Sequence, residues 1–251
     1  MPNVMIVTGG SRGIGAATAF LGARAGYAVV VNYVSNGAAA DKVVAEIEAG
    51  GGRAAAVKAD VGVEADIVAL FEAADRLGTL KVLVNNAGIV DAVAPVAEMT
   101  AERLERTFRI NVTGSFLCAR EAVKRMATSR GGSGGAIVNV SSAAAKLGAG
   151  GSRVDYAASK GAIDTFTVGL AREVAGEGIS VTAVRPGIIE TDIHASGGEP
   201  TRVAELSASL PLKRAGTPEE VAQAILWLAS DEATYSTGAI LDVSGARAIL
   251  P

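Results

Sequence analysis

The segment Val4-Met5-Ile6-Val7-Thr8-Gly9-Gly10-Ser11-Arg12-Gly13-Ile14-Gly15 joins a short apolar run to a glycine-rich turn, and an alanine-rich stretch follows it to Arg24. A continuous apolar run of this length is typical of a parallel strand that is covered on both faces. The segment therefore predicts a strand, a turn and a helix, in which backbone N–H groups at the helix start can hold a pyrophosphate. The glycines are spaced G-x-x-x-G-x-G instead of G-x-G-x-x-G, so a purely structural turn is the alternative.

The alternation of strand and helix patterns continues to the end of the chain. Strands are predicted at 27–33, 54–59, 81–84, 136–140, 179–184 and 238–243, and helices at 41–49 and 64–77, after Thr100, at 156–175 and after Thr217. This alternation predicts a single α/β domain over residues 1–251, a Rossmann-type, doubly wound parallel sheet of about seven strands with helices on both faces. The polar segment at about 188–213, with Gly197-Gly198 and Pro200, is expected to form a lid over a site.

Composition narrows the classes of function. The net charge is −3 at pH 7 and the basic residues are scattered, so neither nucleic acid nor an anionic membrane is an expected partner. No apolar run reaches the roughly eighteen residues of a membrane span. With one cysteine, Cys118, and one histidine, His194, neither a disulfide nor a metal site is expected. Cys118, expected to be a buried structural thiol, and the absence of a signal peptide predict a reducing, cytoplasmic location.

The end of the second predicted strand indicates which dinucleotide the protein binds. Sites that prefer NAD place Asp or Glu here to bind the ribose 2′-hydroxyl, but no acidic residue occurs between positions 16 and 40. Asn32 takes this place, Ser35 and Asn36 follow it, and Arg12 lies in the glycine turn. A carboxylate would repel a 2′-phosphate, whereas a guanidinium and neutral donors would bind it, so we predict NADP(H) as the cofactor.

Polar and small residues collect where the predicted strands end. The third strand is followed by Asp60-Val61, the fourth by Asn85-Asn86-Ala87-Gly88, and the fifth by Ser141-Ser142. The Asp60-Val61 segment is expected to be a hydrogen-bond partner for an adenine amino group. The carboxyl ends of the strands form the ligand crevice of an open α/β sheet, although an ordinary turn also explains the Asn/Gly segment. Asn111, inside a predicted helix, has poor helix propensity and is expected either to mark a backbone kink or to hold a water.

Tyr156 and Lys160 lie four residues apart and therefore on one face of a helix. Their ordinary pKa values, about 10 and about 10.4, make neither a useful acid or base at neutral pH. An ammonium near the phenol is expected to favour the phenolate and to lower the tyrosine pKa, so that the pair could exchange a proton with an alkoxide or an alcohol. Taken alone, such a pair is more often a half-buried ring beside a solvated amine.

Together, these motifs resemble those of the classical short-chain dehydrogenase/reductase family over nearly the whole chain. The matching residues are Thr8-Gly-x-x-x-Gly-x-Gly15, Asp60, Asn85-Asn86-Ala87-Gly88, Asn111, Ser142, Tyr156-x-x-x-Lys160 and Pro186-Gly187. The motif style is similar to that of 3-oxoacyl-thioester reductases and of sugar or polyol dehydrogenases such as glucose dehydrogenase. The spacing between Ser142 and Tyr156 is about one residue longer than the common pattern, and the extra residue is expected at 151–155, on the pocket rim.

The resemblance implies a role for each matching residue. Tyr156 would be the general acid or base, Ser142 would bind the substrate oxygen, and Lys160 would hold the nicotinamide ribose and lower the tyrosine pKa. Asn111 would anchor a water in a proton relay. The cofactor site implied by the resemblance and by the strand ends consists of Gly9, Ser11, Arg12, Gly13, Ile14, Gly15, Asn32, Ser35, Asp60, Val61, Asn86, Ala87, Gly88, Lys160, Pro186, Gly187, Ile189 and Thr191.

The function implied is an NADP(H)-dependent oxidoreductase that acts on a carbonyl or secondary alcohol, with reduction as the expected direction. The resemblance also implies a homotetramer, or a homodimer. The alternative from another class is a catalytically silent, cofactor-binding regulatory or scaffold protein on the same fold; the retention of Ser142, Tyr156 and Lys160 favours the enzyme. His194 is interpreted as a solvated lid residue, with substrate contact as the alternative.

Overall fold

The computed structural model describes residues 1–150, 152–193 and 197–248, so His194 lies outside the described residues. The strands are β1 (Asn3–Val7), β2 (Ala28–Tyr33), β3 (Arg53–Lys58), β4 (Thr79–Asn85), β5 (Gly135–Val140), β6 (Ile179–Pro186) and β7 (Ile240–Val243). The helices are α1 (Gly13–Arg24), α2 (Gly37–Ala49), α3 (Glu64–Leu77), α4 (Ala101–Phe108), α5 (Gly114–Met126), α6 (Ala144–Leu147), α7 (Val154–Val174), α8 (Arg202–Ser207) and α9 (Pro218–Leu228). The strands form one sheet in the order β3-β2-β1-β4-β5-β6-β7, and every pair is parallel. The predicted α/β class and the seven strands are confirmed.

Helices cover both faces of the sheet, and successive residues of a strand alternate between them. In β1, Val4 and Ile6 belong to the apolar core that includes residues of α3, α5 and α7. Met5 belongs to the opposite core, which includes residues of α1, α2 and α9. Because both faces of the sheet are buried, both side-chain sets of β1 must be apolar, which explains the uninterrupted apolar run in the sequence. Cys118 is buried in the first core, as expected, and burial raises the pKa of its thiol to about 12.

Local capping fixes several helix starts. Thr100 accepts a hydrogen bond from the Arg103 N–H at the start of α4, and Thr217 forms the predicted capping box at the start of α9. The second helix begins at Gly37, four residues before the predicted start, because the Asn36 side chain accepts a hydrogen bond from the Ala39 N–H and caps it.

The long helix predicted after Thr100 is interrupted. Residues Arg109–Thr113, between α4 and α5, form a π-helical turn. Asn111 lies within this turn, so its unfavourable position in a helix pattern marks the backbone irregularity that was one of the two expected explanations.

The sheet order brings the candidate site together. β1 and β4 are neighbours although β2 and β3 separate them in the chain, so the direction of winding reverses between them. The crevice at such a reversal lies at the carboxyl ends of the strands. The glycine turn after β1, the segment after β4 and Ser142 after β5 therefore share one edge. Among the helices that the structure describes, none combines the length and apolarity that a bilayer crossing requires.

Candidate active site

The glycine turn is fastened to the end of β4 by side chains that the sequence singled out. The Thr8 hydroxyl accepts hydrogen bonds from the N–H groups of Asn86 and Ala87, both at 3.0 Å, and donates to the Val84 carbonyl. The Asn86 amide donates to the carbonyls of Thr8 at 2.8 Å and Gly9 at 3.0 Å. The side chain of Asn86 therefore holds the turn in place, and the first strand and the fourth strand present one rigid edge.

The turn is packed so closely that it requires glycine, and it leaves backbone donors without a protein partner in the described part of the chain. A β-carbon added at Gly15 would lie 2.3 Å from the Gly9 carbonyl oxygen and 2.6 Å from the Asn86 amide nitrogen, and Gly13 has a φ of +52° that side chains rarely adopt. The N–H groups of Ile14 and Gly15 make no hydrogen bond within the described residues. No acidic residue lies in the first turn of α1. Backbone donors without a protein partner at the positive end of a helix fit the pyrophosphate of a dinucleotide.

At the end of β2, the side chain of Asn32 does not have the role expected for it, which was to bind the ribose 2′-phosphate. Asn32 is only 1% exposed, and its amide accepts from the Gly9 N–H at 3.1 Å and donates to the Ala59 carbonyl at 2.8 Å. This side chain therefore ties the glycine turn to the end of β3 and has no donor free for a ribose phosphate. Asn36 is used as the helix cap. Ser35 and Arg12 are exposed at the crevice edge and remain the candidates for binding a 2′-phosphate.

Asp60 and Val61 follow β3 as predicted, and their side chains differ in environment. Asp60 Oδ1 accepts a hydrogen bond from the Gly62 N–H at 2.8 Å, and the Asp60 N–H donates to Asp66. Val61 is buried in the core beneath them. These contacts hold the loop, and the half-buried Asp60 carboxylate lies at its start. This position is compatible with the expected contact to an adenine amino group.

Lys160 is held deep in the site by α7. Its side chain is buried, and Nζ donates a 2.7 Å hydrogen bond to the Val140 carbonyl at the end of β5. Burial lowers the pKa of Lys160 from 10.5 to about 8, against the opposing charge of Asp164. Nζ also lies close to Gly88: a β-carbon there would be 3.4 Å from it. The backbone of the Asn86–Gly88 segment thus passes directly over the lysine.

Tyr156 lies one turn before Lys160, with Nζ 5.8 Å from the centre of its ring. Burial raises the pKa of the Tyr156 phenol above 10, while a polar contact with Ser142 and the charge of Arg153 act in the opposite direction. This direction is opposite to the one expected from the sequence. The physical reason is that the Lys160 ammonium donates to the Val140 carbonyl and not to the phenol, so the penalty for a buried phenolate prevails.

Ser142 and Asn111 are positioned by local backbone contacts. The Ser142 Oγ accepts a hydrogen bond from the Ala144 N–H at 3.1 Å, at the start of the short helix α6. Asn111 Oδ1 accepts from the Ile89 N–H at 2.8 Å, and its amide donates to the Ile89 carbonyl and to Ser159 Oγ. The Asn111 side chain therefore holds the loop after β4 against α7. The expected role of Asn111 in a water-mediated proton relay stays a prediction.

One cavity of about 190 Å³ joins Ser142, Tyr156 and Lys160 to part of the expected cofactor site. It is lined by the predicted residues Ile14, Asn86, Gly88, Ser142, Tyr156, Lys160, Pro186, Gly187, Ile189 and Thr191. The other predicted cofactor residues lie in the glycine turn or after β2, β3 and β4. Three arginines, Arg153, Arg202 and Arg247, also line this cavity. Neither Arg202 nor Arg247 belongs to a sequence motif, so no local signal marks them, and both reach the cavity only through the fold.

The rim segment before Tyr156 is fixed by an ion pair between a buried carboxylate and a partly buried guanidinium. Arg103 of α4 donates two hydrogen bonds to Asp155, from Nε at 2.7 Å and from a terminal nitrogen at 3.2 Å. Burial opposes ionisation of Asp155, but the bonds from Arg103 prevail and hold the pKa of the carboxyl below its usual range. The start of α7, and with it Tyr156, is therefore clamped to α4.

A phenol, a serine hydroxyl and an ammonium thus face one cavity beside a glycine turn that fits a dinucleotide. Such an arrangement can bind a carbonyl or alcohol oxygen between two hydroxyl groups and transfer a proton to or from it. These features define the class as a dinucleotide-binding oxidoreductase.

Comparison with known proteins gives the family. A family model described as enoyl-(acyl carrier protein) reductase matches residues 9–245. The uncharacterized oxidoreductase YgfF of Escherichia coli is 56% identical over 97% of this chain and 99% of that protein. A 3-oxoacyl-[acyl-carrier-protein] reductase of Synechocystis sp. is 41% identical over 96% of this chain and 95% of that protein. The chain belongs to the classical short-chain dehydrogenase/reductase family and is an oxidoreductase.

A solved structure supports the same conclusion. A short-chain dehydrogenase from Burkholderia cenocepacia in complex with NADP superimposes with a TM-score of 0.87 and 32% identity, covering 96% of each chain. Members of the family use a nicotinamide cofactor.

Proposed function

We propose that this protein is an NADP(H)-dependent oxidoreductase that interconverts a carbonyl and a secondary alcohol, with Tyr156 as the general acid and base. The observation that carries the proposal is that Tyr156, Ser142 and Lys160 line the same cavity as Ile14 of the glycine turn. When bound, the nicotinamide cofactor supplies or accepts the hydride.

The chain's own residues handle the oxygen and its proton. Tyr156 and Ser142 donate hydrogen bonds to the substrate oxygen, and during reduction the phenol gives its proton to the oxygen as negative charge develops there. Lys160, whose ammonium is fixed by the Val140 carbonyl, supplies positive charge near the phenolate that results. Burial raises the pKa of Tyr156, so the phenol is protonated at neutral pH, which favours reduction. Oxidation of an alcohol needs the phenolate and is expected to accelerate as the pH rises.

Replacing the phenol tests the proposed chemistry. Tyr156→Phe is expected to lower kcat by about 10²- to 10⁴-fold, the usual contribution of a positioned acid or base. The measurement is oxidation of NADPH with a panel of ketones and aldehydes, and of alcohols with NADP⁺. Tyr235→Phe, at an exposed tyrosine, is the matched control. Binding of NADPH without turnover of any substrate would favour the regulatory or scaffold alternative instead.

The preference for NADP(H) is proposed from the charge of the crevice. Arg12 and Ser35 are exposed beside the glycine turn and β2, and no acidic residue lies in the first turn of α2. The NADP in the Burkholderia cenocepacia structure is consistent with this choice. Arg12→Gln is expected to lower kcat/KM for NADPH at least tenfold and to leave NADH little changed. Arg24→Gln, at an exposed arginine at the other end of α1, is the control, and equal losses with both cofactors would contradict the proposal.

The further organisation of the protein is proposed on the same basis. Phe116 of α5 stacks on Phe166 of α7 with ring centres 3.7 Å apart and remains half-exposed, and Phe108 of α4 and Val168 of α7 are also exposed. Such a surface suits the packing of α4, α5 and α7 against a second copy in a homotetramer or homodimer. Light scattering gives the mass in solution, and Phe116→Glu is expected to reduce it. The single domain, the lid at about 188–213 and the cytoplasmic location likewise remain proposals.

A further inference from the structure

The cavity beside Tyr156 carries an excess of positive charge. Four basic side chains line it, namely Lys160, Arg153, Arg202 and Arg247, and within the described residues no aspartate or glutamate does. The apolar part of the lining comes from residues such as Val90, Leu147, Ile188 and Ile193. A proton-transfer site needs the lysine, but it does not need three guanidinium groups.

The first of these arginines is committed to the protein itself. Arg153 is buried, and it donates from Nε to the Asp91 carbonyl at 3.1 Å and from a terminal nitrogen to the Gly197 carbonyl at 2.8 Å. Its other terminal nitrogen pairs with Glu199 at 2.6 Å. All sides of the guanidinium are therefore used, and Arg153 fixes the loop after β4 to the segment before α8.

The other two arginines are not neutralised in this way. Arg202 donates from one terminal nitrogen to both carboxylate oxygens of Glu199, at 2.9 and 2.8 Å, but it shares that carboxylate with Arg153. Arg247 is half-buried, and in the described part of the chain its guanidinium makes neither an ion pair nor a hydrogen bond. Burial lowers the pKa of Arg247, and the charge of Arg202 lowers it further, so the two guanidinium groups repel each other across the cavity.

Two like charges in a partly desolvated cavity are unfavourable unless an anion joins them. Guanidinium groups bind a carboxylate through two parallel hydrogen bonds, and Arg247 presents the whole of that face. Because Arg153 and Arg202 share the single carboxylate of Glu199, the three arginines retain two uncompensated positive charges, and a carboxylate between Arg202 and Arg247 would reduce this excess. The remaining lining is apolar, which suits a small hydrocarbon frame between the anion and the reacting oxygen.

We propose that the substrate is a small oxo acid or hydroxy acid whose carboxylate pairs with Arg247 and Arg202 while its carbonyl or hydroxyl group faces Tyr156 and Ser142. The proposal rests on the oxidoreductase activity proposed above and adds the class of substrate. Arg247 is the binding residue, Arg202 its partner, and Glu199 with Arg153 positions Arg202.

The kinetic test compares an acid with its neutral analogue. The probes are 4-oxocyclohexanecarboxylate and its methyl ester, with NADPH, on the wild type, Arg247→Met and the exposed control Arg130→Met. The wild type and the control are expected to prefer the acid at least tenfold in kcat/KM. Arg247→Met is expected to lose at least tenfold on the acid, mainly through KM, to change less than twofold on the ester, and to be partly rescued in Arg247→Lys.

A binding measurement separates the two proposals. Unreactive cyclohexanecarboxylate is expected to raise the thermal midpoint of the wild type but not of Arg247→Met, and cyclohexanecarboxamide is expected to raise neither. This pattern without turnover of any substrate would refute the proposed interconversion of carbonyl and alcohol and retain the carboxylate site. Equal kcat/KM for acid and ester in the wild type, or no carboxylate-specific shift, would refute the carboxylate site alone. A rise in KM for NADPH with both substrates would assign Arg247 to the cofactor and also refute it.

Discussion

Lys160 should make the stability of the protein depend on pH in a specific direction. Its side chain is only 4% exposed, and burial lowers its pKa from 10.5 to about 8. The unfolded chain therefore binds a proton at this lysine more tightly than the native protein does. Between pH 8 and 10.5 the unfolded state carries more protons, so stability rises with pH across this window. Below pH 8 the full cost of burying the ammonium is present.

The size of the effect follows from the two pKa values. Each unit of difference corresponds to 1.36 kcal/mol, so the shift of Lys160 costs about 3 kcal/mol at neutral pH. Most of this cost is relieved by pH 10, where the native lysine is neutral and the unfolded lysine is only partly charged. The free energy of unfolding of the wild type, relative to a variant without the ammonium, is expected to rise by about 2 to 3 kcal/mol between pH 7 and pH 10.

The assay is urea unfolding of the wild type and of Lys160→Met, monitored by far-ultraviolet circular dichroism. Both proteins are measured at the same concentration, from pH 7 to pH 10 in steps of half a pH unit. The difference between the two proteins cancels titrations that they share. Lys58→Met, at an exposed lysine, is the control and should run parallel to the wild type, because that ammonium is hydrated in both states. Parallel profiles for wild type and Lys160→Met would refute the reasoning, since they would mean that the lysine is not desolvated by folding.

Three further predictions concern the frame of the site. Arg103→Met leaves the buried carboxylate of Asp155 without its partner and is expected to lower the free energy of unfolding by about 3 kcal/mol, as measured by urea titration; an unchanged midpoint would contradict this. Gly15→Ala places a β-carbon 2.3 Å from a carbonyl oxygen and should weaken NADPH binding strongly in calorimetry, whereas Gly161→Ala, which meets open space, should not. The Cys118 thiol, with its pKa raised to about 12 by burial, should react with a disulfide reagent at pH 8 only after unfolding; rapid reaction of the native protein would show that it is accessible.

Several elements were predictable because their signals are local. The capping box at Thr217 and the hydroxyl cap at Thr100 involve atoms within three residues of each other, so both were read directly from the sequence. The first strand was predicted from its apolar run, which follows from burial on both faces of a parallel sheet. The start of the second helix differs from the predicted one, because the Asn36 side chain caps the helix four residues earlier.

The details of the site depended on contacts between distant parts of the chain. Asn32 has the expected place in the sequence, but its side-chain amide is hydrogen-bonded to the backbone of Gly9 and Ala59, which lie on neighbouring segments. The pKa of Tyr156 has the opposite direction from the one expected, because the nearby ammonium is directed at the Val140 carbonyl. Spacing along a helix gives the distance between two side chains but not the third group that one of them binds.

The alternation of strands and helices, the glycine turn, and the placement of Tyr156 and Lys160 on one helix face follow from the order of the amino acids alone. These properties depend on periodicity and on residues that are close in the chain. Which charges meet depends on the folded chain: Arg202 after the sixth strand and Arg247 after the seventh both line the cavity of Tyr156. Their desolvation and mutual repulsion exist only once the chain has folded, because both depend on what surrounds a side chain and not on its neighbours in the sequence.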